Sequence, residues 1–301
     1  LRIPDSRLDP YSLMACCPVS YRRLAFAWQS DTHPLLGAAL LDASSSISFK
    51  CAVKGAFQNL VAEHVVSGDI LFPRSAYLEM ARAASCAASS STQSRAVLED
   101  VLFLKPLALS SSKKNTAWVG VEAVEIVVDA RSGHFEVHSS APDSAARSSP
   151  HCTGIAHVHK MSQNQQIGQL SDFKSGSVFS SPSEKDLAGR RCRLHDAFDA
   201  SRLYALFQSI GLEYGPAYRL VQQGWLSEQR AGMGVLRHRS VMSGTVVHPA
   251  DLDASLQLSL APWVRKSMTR ETHLPFAVRS ALLEGGKGHL RAVSACFMPA
   301  R

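Results

Sequence analysis

Short period-two segments recur along this chain around a few separated helical runs, and that pattern restricts it to a mixed α+β fold. Ile47-Ser-Phe-Lys-Cys-Ala-Val alternates apolar and polar positions, as do parts of Trp118 to Val128. His134-Phe-Glu-Val-His-Ser and Cys152-Thr-Gly-Ile-Ala-His-Val-His are further candidates for half-buried strands. Between them, Arg74 to Ser85 is rich in Ala, Leu and Met and reads as a helix. In the second half, apolar residues at 203, 206, 207 and 210 predict a helix that Asp199 or Ser201 caps and Gly211 ends. Strand-like Gly224-Trp-Leu226 and Gly232-Met-Gly-Val-Leu follow. Pro249 suits the first turn of a helix running to about Ala261, where Pro262 favours its end. Each half thus has several strands and one helix placed to be central.

The segments between these elements set the organisation. Residues 1–32 carry Pro4, Pro10 and Pro18 and read as a linker that docks through its aromatics, and the first residues lack a starting Met, as a segment of a longer protein would. Residues 33–160 form a first half. Residues 161–195, rich in Ser, Gln, Gly and Lys, read as a solvated connector, and 196–301 form a second half. With 301 residues, one large domain or two fused small ones can bury a core.

Composition excludes several classes. No window approaches the roughly 18 consecutive apolar residues of a membrane helix. The seven Cys residues are scattered without a Cys-x-x-Cys pair, which points to reduced thiols and a cytoplasmic-type compartment. The net charge of +7 is spread thinly over short basic pairs, so nucleic-acid binding lacks its usual stripe. A diffuse positive field suits an acidic carrier protein. His157 and His159 share a strand face, but nothing nearby completes a metal site. There is no Gly-x-Gly-x-x-Gly, phosphate loop or Gly-x-Ser-x-Gly.

Two segments carry chemistry. His64-Val-Val-Ser-Gly68-Asp-Ile-Leu-Phe-Pro73 puts an imidazole among apolar neighbours that favour its neutral, proton-accepting form. His248-Pro-Ala-Asp251-Leu-Asp253-Ala-Ser-Leu-Gln257 places Asp253 and Gln257 four residues apart on one helix face, with Leu252, Leu256 and Leu260 on a separate, core-packing stripe. In an apolar cavity Asp253 would hold or relay a proton, with Gln257 orienting it; otherwise Asp251 and Asp253 simply complement the helix N-terminus.

These motifs, with His33-Pro-Leu-Leu-Gly37, Tyr77-Leu-Glu-Met80, Gly211-Leu-Glu-Tyr214-Gly215-Pro216 and Leu274-Pro-Phe276, make the chain resemble the dehydratase domain of polyketide synthases, a relative of the animal fatty-acid-synthase dehydratase. The resemblance covers roughly residues 33–285. It implies an α+β double hotdog, two antiparallel sheets each wrapping a central helix, with the central helices at about 74–88 and 250–261. It further implies that His64 and Asp253 meet at the interface of the halves to remove water from a β-hydroxyacyl thioester. The acyl chain rides on the phosphopantetheine of an acyl carrier protein, no cofactor is bound, and other synthase domains and a second copy of the chain are expected partners.

In that reading His64 takes the α-proton and Asp253, oriented by Gln257, protonates the departing hydroxyl; the family also admits His64 as sole proton carrier. Gly68, Pro73, Arg74, Tyr214, Gly215 and Pro216 are the expected substrate-binding residues. Two positions depart from the family pattern. Arg74 stands where Gly or Ala is usual, so its side chain would narrow the opening or meet the phosphopantetheine phosphate. Tyr218 stands where Phe is usual. A product-template-type cyclase and a catalytically silent structural domain of a synthase are the competing readings.

Overall fold

The computed structural model describes residues 33–41, 46–89, 94–109, 120–141, 146–160, 196–226, 232–239, 242–266, 274–283 and 291–294, with 189, 192, 194 and 272. The expected linker 1–32 and nearly all of the expected connector 161–195 lie outside the described residues.

One antiparallel sheet is built mainly from the first half. Its strands are β1 (Ala38–Leu41), β2 (Ser46–Ala52), β5 (Ser94–Phe103), β6 (Ala123–Asp129), β7 (His134–Ser140), β8 (Cys152–Lys160) and β13 (Ala277–Leu283), in the order β1-β2-β6-β7-β8-β5-β13. It packs on α2 (Arg74–Ala88), which follows the short α1 (Ala56–Val61). Twelve residues of α2 are buried, including Ala76, Met80, Ala81 and Ala84, because small side chains let the sheet close on nearly its whole circumference. The second half supplies β9 (Asp196–Asp199), β11 (Val221–Leu226), β12 (Gly232–Leu236) and β14 (Arg291–Ser294), in the order β14-β12-β11-β9, with α3 (Ala200–Ser209) and α4 (Pro249–Lys266). This is the expected double hotdog. A small third sheet of β3 (His64–Val66), β4 (Asp69–Ile70) and β10 (Leu212–Tyr214) joins the halves.

Three differences from the sequence reading have physical causes. The strand β5 is the longest of its sheet, yet its apolar residues come in blocks (96–98 and 101–103) rather than alternating. A bulge between Glu99 and Leu102, with Asp100 at φ 48°, resets which side chains face the core. The helix α4 does not stop at Pro262 but runs to Lys266. The Leu258 carbonyl, which loses its usual donor to a proline four residues on, abuts Gly232 of β12, where no side chain crowds it. The deepest stripe of α4 is Ala250, Ala254, Leu258 and Ala261, all at 1% exposure or less. Leu252, Leu256 and Leu260 are only half-buried, because they lie off the stripe of α4 that faces the core.

A buried carboxylate locks the first half to the loop before α4. Glu79 of α2 is fully buried and accepts hydrogen bonds from His33 Nε2 (3.0 Å), Arg82 Nε (2.6 Å), Arg82 Nη2 (2.9 Å) and the Val246 backbone N–H (2.9 Å). Burial pushes its pKa up, but His33 and Arg82 together hold it below the ordinary value. This gives His33 of the His33-Pro-Leu-Leu-Gly37 motif a structural task. Glu79→Ala strands the Arg82 guanidinium, itself 3% exposed. It is expected to cost about 3–5 kcal/mol in urea unfolding; an unfolding free energy within error of the parent would show that the network is dispensable.

Candidate active site at the junction of the halves

His64 opens β3, and its backbone pairs with Tyr214 of β10. Between β3 and β4 the chain reverses through Ser67 (φ 52°) and Gly68 (φ 81°), the two left-handed residues of a tight hairpin. That turn sends the strand back so that Leu71 O meets the His64 ring. His64 Nδ1 lies 2.9 Å from this carbonyl, which can only accept, so Nδ1 carries the proton and Nε2 keeps its lone pair. The imidazole is 4% exposed and is edged by the rings of Tyr218 (5.4 Å between centroids) and Tyr214 (5.6 Å). Burial lowers its pKa, against the opposing pull of Asp253 and the Leu71 bond, and the Arg74 charge lowers it further.

Asp253 reaches the same point from α4. Its Oδ1 lies 3.9 Å from His64 Nε2, and it is 4% exposed. Burial raises its pKa, with His64, Gln257 and Arg74 opposing. Burial thus favours the neutral form of both groups.

A chain of hydrogen bonds fixes the carboxyl. Gln257 Nε2 donates to Asp253 Oδ2 (2.9 Å) and to the Tyr218 carbonyl (3.1 Å), while its Oε1 accepts from the Tyr204 hydroxyl (3.0 Å). The Tyr204 oxygen in turn accepts from Val221 N–H (3.0 Å). Since the Val221 N–H can only donate and the Tyr218 carbonyl can only accept, the Gln257 amide has one satisfied orientation. Tyr204 and Tyr218 were not placed at the site by the sequence reading. Tyr204 sits one turn into α3 beside Leu203 and Phe207, which looks like core periodicity. The Tyr218 hydroxyl, the atom that distinguishes it from Phe, donates to Leu60 O of α1 at 2.7 Å.

The other expected site residues fall into two groups. Tyr214 is buried at the imidazole, as above. Gly68 serves the hairpin, Gly215 donates its N–H to Glu63 O (2.8 Å), and the Pro216 carbonyl accepts from Arg237 (2.7 Å), so these act through the backbone. A Cβ at Gly215 would lie 2.6 Å from Glu63 Cβ, which explains glycine there. Pro73 is the extended N-cap of α2, its carbonyl accepting from Ala76 N–H (3.0 Å). Arg74 points across to the second half, where its Nε donates to the Pro275 carbonyl. Among the described residues no three His, Cys, Asp or Glu side chains cluster to hold a metal, and His157 instead faces Glu99 at 3.3 Å. No helix among them is long and apolar enough to cross a membrane.

A family profile described as the polyketide synthase dehydratase domain matches residues 33–140, and one described as the polyketide synthase dehydratase N-terminal domain matches 182–297. The chain belongs to the polyketide synthase dehydratase family. It is similar to a naringenin synthase of Pestalotiopsis fici (26% identity over 236 residues, 75% of this chain and 8% of the relative) and to the polyketide synthase ThaG of Burkholderia thailandensis (26% over 242 residues, 80% and 4%). The chain thus spans under a tenth of the length of these relatives. Among solved structures, the dehydratase domain of the CurF module of curacin polyketide synthase superposes with a TM-score of 0.69 at 22% identity, covering 89% of this chain and 90% of that one. The CurK dehydratase gives 0.68 at 19% identity, covering 88% and 87%. These likenesses extend the double-hotdog fold over the dehydratase domain. The family match favours the dehydratase over the cyclase reading.

Tyr204→Phe keeps the ring but leaves Val221 N–H and Gln257 Oε1 without partners. A loss of about 1–3 kcal/mol in unfolding free energy is expected. An unchanged midpoint in chemical denaturation would remove Tyr204 from the network.

Proposed function

We propose that the chain dehydrates a β-hydroxyacyl thioester carried on the phosphopantetheine of an acyl carrier protein, as one domain among others of a larger synthase. The observation that carries this is the pairing of a neutral, Nδ1-protonated His64 with a buried Asp253 whose carboxyl is driven toward protonation. His64 Nε2 takes the α-proton. The electron pair left on carbon passes through the enolate and expels the β-hydroxyl, which leaves as water with the proton from Asp253. The products are an α,β-unsaturated thioester, a protonated His64 and an ionised Asp253; proton exchange with solvent resets the pair. No bound cofactor is needed for these steps, since each proton and electron pair has a named source. The backbone N–H groups that open α2, just past Pro73, suit the thioester oxygen as negative charge develops there.

The same two residue types matter in a structural neighbour: CurK variants with a histidine replaced by phenylalanine, or an aspartate by asparagine, are described as inactive. The excess of basic residues (net +7) suits docking of an acidic carrier protein. A reduced, cytoplasmic-type compartment and self-association of the synthase belong to the same reading.

Two measurements test it. With a β-hydroxyacyl pantetheine thioester, mass spectrometry should show water loss by the parent. His64→Phe and Asp253→Asn should each reduce the rate by about 100-fold or more, the scale of positioned acid–base catalysis. No water loss or addition by the parent would overturn the proposal, and unimpaired variants would overturn the assignment of the pair.

The second measurement is pH dependence. Burial lowers the His64 pKa below 6.5, so the base stays neutral as pH falls through that value. The expected kcat/KM therefore holds level to below pH 6.5 and declines only under it. An acidic limb centred above that value would contradict a buried neutral base.

A further inference from the structure

Glu63 directly precedes His64, and the dehydration chemistry gives it no task. It is half-buried and turns two acceptors toward the second half. Its carbonyl takes the Gly215 N–H (2.8 Å), and its carboxylate Oε2 takes the Ala217 N–H. A carboxylate on a backbone donor makes a charge-assisted bond, stronger than one between neutral groups. A further bond runs close by. The Tyr218 hydroxyl, which this chain has in place of the usual Phe, donates to Leu60 O of α1 (2.7 Å). Residues 60–64 of the first half are thus stitched to residues 214–218 of the second by these bonds as well as by the β3–β10 ladder.

The loop that receives these bonds has little freedom of its own. Tyr214 O accepts from Arg219 Nε (2.6 Å), and Gly215 O accepts from the N–H groups of Tyr218 (3.0 Å) and Arg219 (3.1 Å). Pro216 O accepts from Arg237 (2.7 Å), and Ala217 O accepts from Arg239 Nη2 (3.0 Å). Two connections lead on to α4. Arg239 Nε donates to Asp251 Oδ1 (3.0 Å), two residues before Asp253. The Tyr218 carbonyl accepts from Gln257 Nε2, which also donates to Asp253 Oδ2. Bonds therefore run without a break from His64 through Glu63, Ala217 and Tyr218 to Gln257 and Asp253. The circuit is open at the 3.9 Å between His64 Nε2 and Asp253 Oδ1. Slack in any link is taken up at that gap, where the reacting atoms must sit.

We propose that Glu63, working through the 214–218 loop, is a positioning residue that sets the spacing of His64 and Asp253 across the two halves. Tyr218 adds a second tie to the same loop. This rests on the dehydratase reading and deepens it. What matters in Glu63 is the reach of its oxygen to Ala217 rather than its charge, because the gap depends on where the loop stands. A displacement of about 1 Å between reacting groups costs on the order of 100-fold in rate, so loosening one link is expected to cost about 10-fold.

Two substitutions separate reach from charge. Glu63→Gln keeps an acceptor oxygen at the same reach without the charge, and Glu63→Asp keeps the charge but withdraws it by one methylene. With a β-hydroxyacyl pantetheine thioester, Glu63→Asp is expected to lower kcat by about 10-fold while KM moves by less than about twofold. Glu63→Gln should keep kcat within about threefold of the parent, and Tyr218→Phe should lower it by about threefold at unchanged KM. Thermal melting checks that each chain is folded. A parent-like kcat in Glu63→Asp, an equal loss in Glu63→Gln, or a loss confined to KM each overturn the proposal. If Glu63→Asp does not fold, Tyr218→Phe decides, and a parent-like kcat there overturns it. Should the parent dehydrate no thioester, the dehydratase reading fails separately. The spacing is then read from the NMR titration of the His64 imidazole, whose pKa Asp253 pulls upward against burial and the Arg74 charge. The midpoint should fall in Glu63→Asp and stay in place in Glu63→Gln; the same midpoint in both overturns the positioning role.

Discussion

The ladder between β3 and β10 is the constraint on which the site depends. It aligns His64 with Tyr214 and Val66 with Leu212, so a strand of the first half and a strand of the second share one small sheet. The ladder is extended by Ser67 N–H donating to the Gly211 carbonyl (2.7 Å) and reinforced by the contacts of Glu63 with Gly215 and Ala217. Because side chains alternate with a period of two, a slip of one residue in this register would turn His64 away from Asp253. The apolar core under α3 and α4, with Phe207, Leu212, Tyr218 and Leu258, holds the ladder against the second half. The β5–β13 pairing ties the same half to the first sheet at a second line of contact.

Around that ladder, His64 and Asp253 are each held by bonds that point away from the other. The imidazole is anchored through Nδ1 by Leu71, and the carboxyl through Oδ2 by Gln257. The atoms left facing each other, Nε2 and Oδ1, stand 3.9 Å apart without a closed hydrogen bond. A short ion pair would spend both groups on each other. The wider spacing leaves both atoms open to a ligand, while burial favours the neutral form of each. Polar groups at such depth are stable only when oriented, which is the physical reason for the chain from Val221 through Tyr204 to Gln257.

Much of this was legible in the amino-acid order, and the reason is locality. Period-two alternation located β2 and β6, and β7, β8, β11 and β12 were legible as strand-like runs. Asp199 does cap α3, accepting from Arg202 N–H, and Gly211 follows its end at φ 83°. His64, Asp253 and Gln257 stood out because residue type and four-residue helical spacing are themselves local facts. Where local rules competed with packing, packing prevailed. The blocks of β5 concealed a bulged strand, Pro262 did not end α4, and three alanines with Leu258, rather than Leu252, Leu256 and Leu260, took its inner face.

What the sequence alone determined was a set of α+β elements and a candidate pair, His64 and Asp253, since periodicity and side-chain chemistry are carried by the residues themselves. Only the tertiary structure decided that β13 completes the sheet of the other half, that Tyr204 and Tyr218 brace the carboxyl, and that Arg74 reaches Pro275. Those facts are contacts between residues far apart in the chain. They follow from which surfaces can be buried together and which donors find acceptors there, and no single stretch of sequence holds that information.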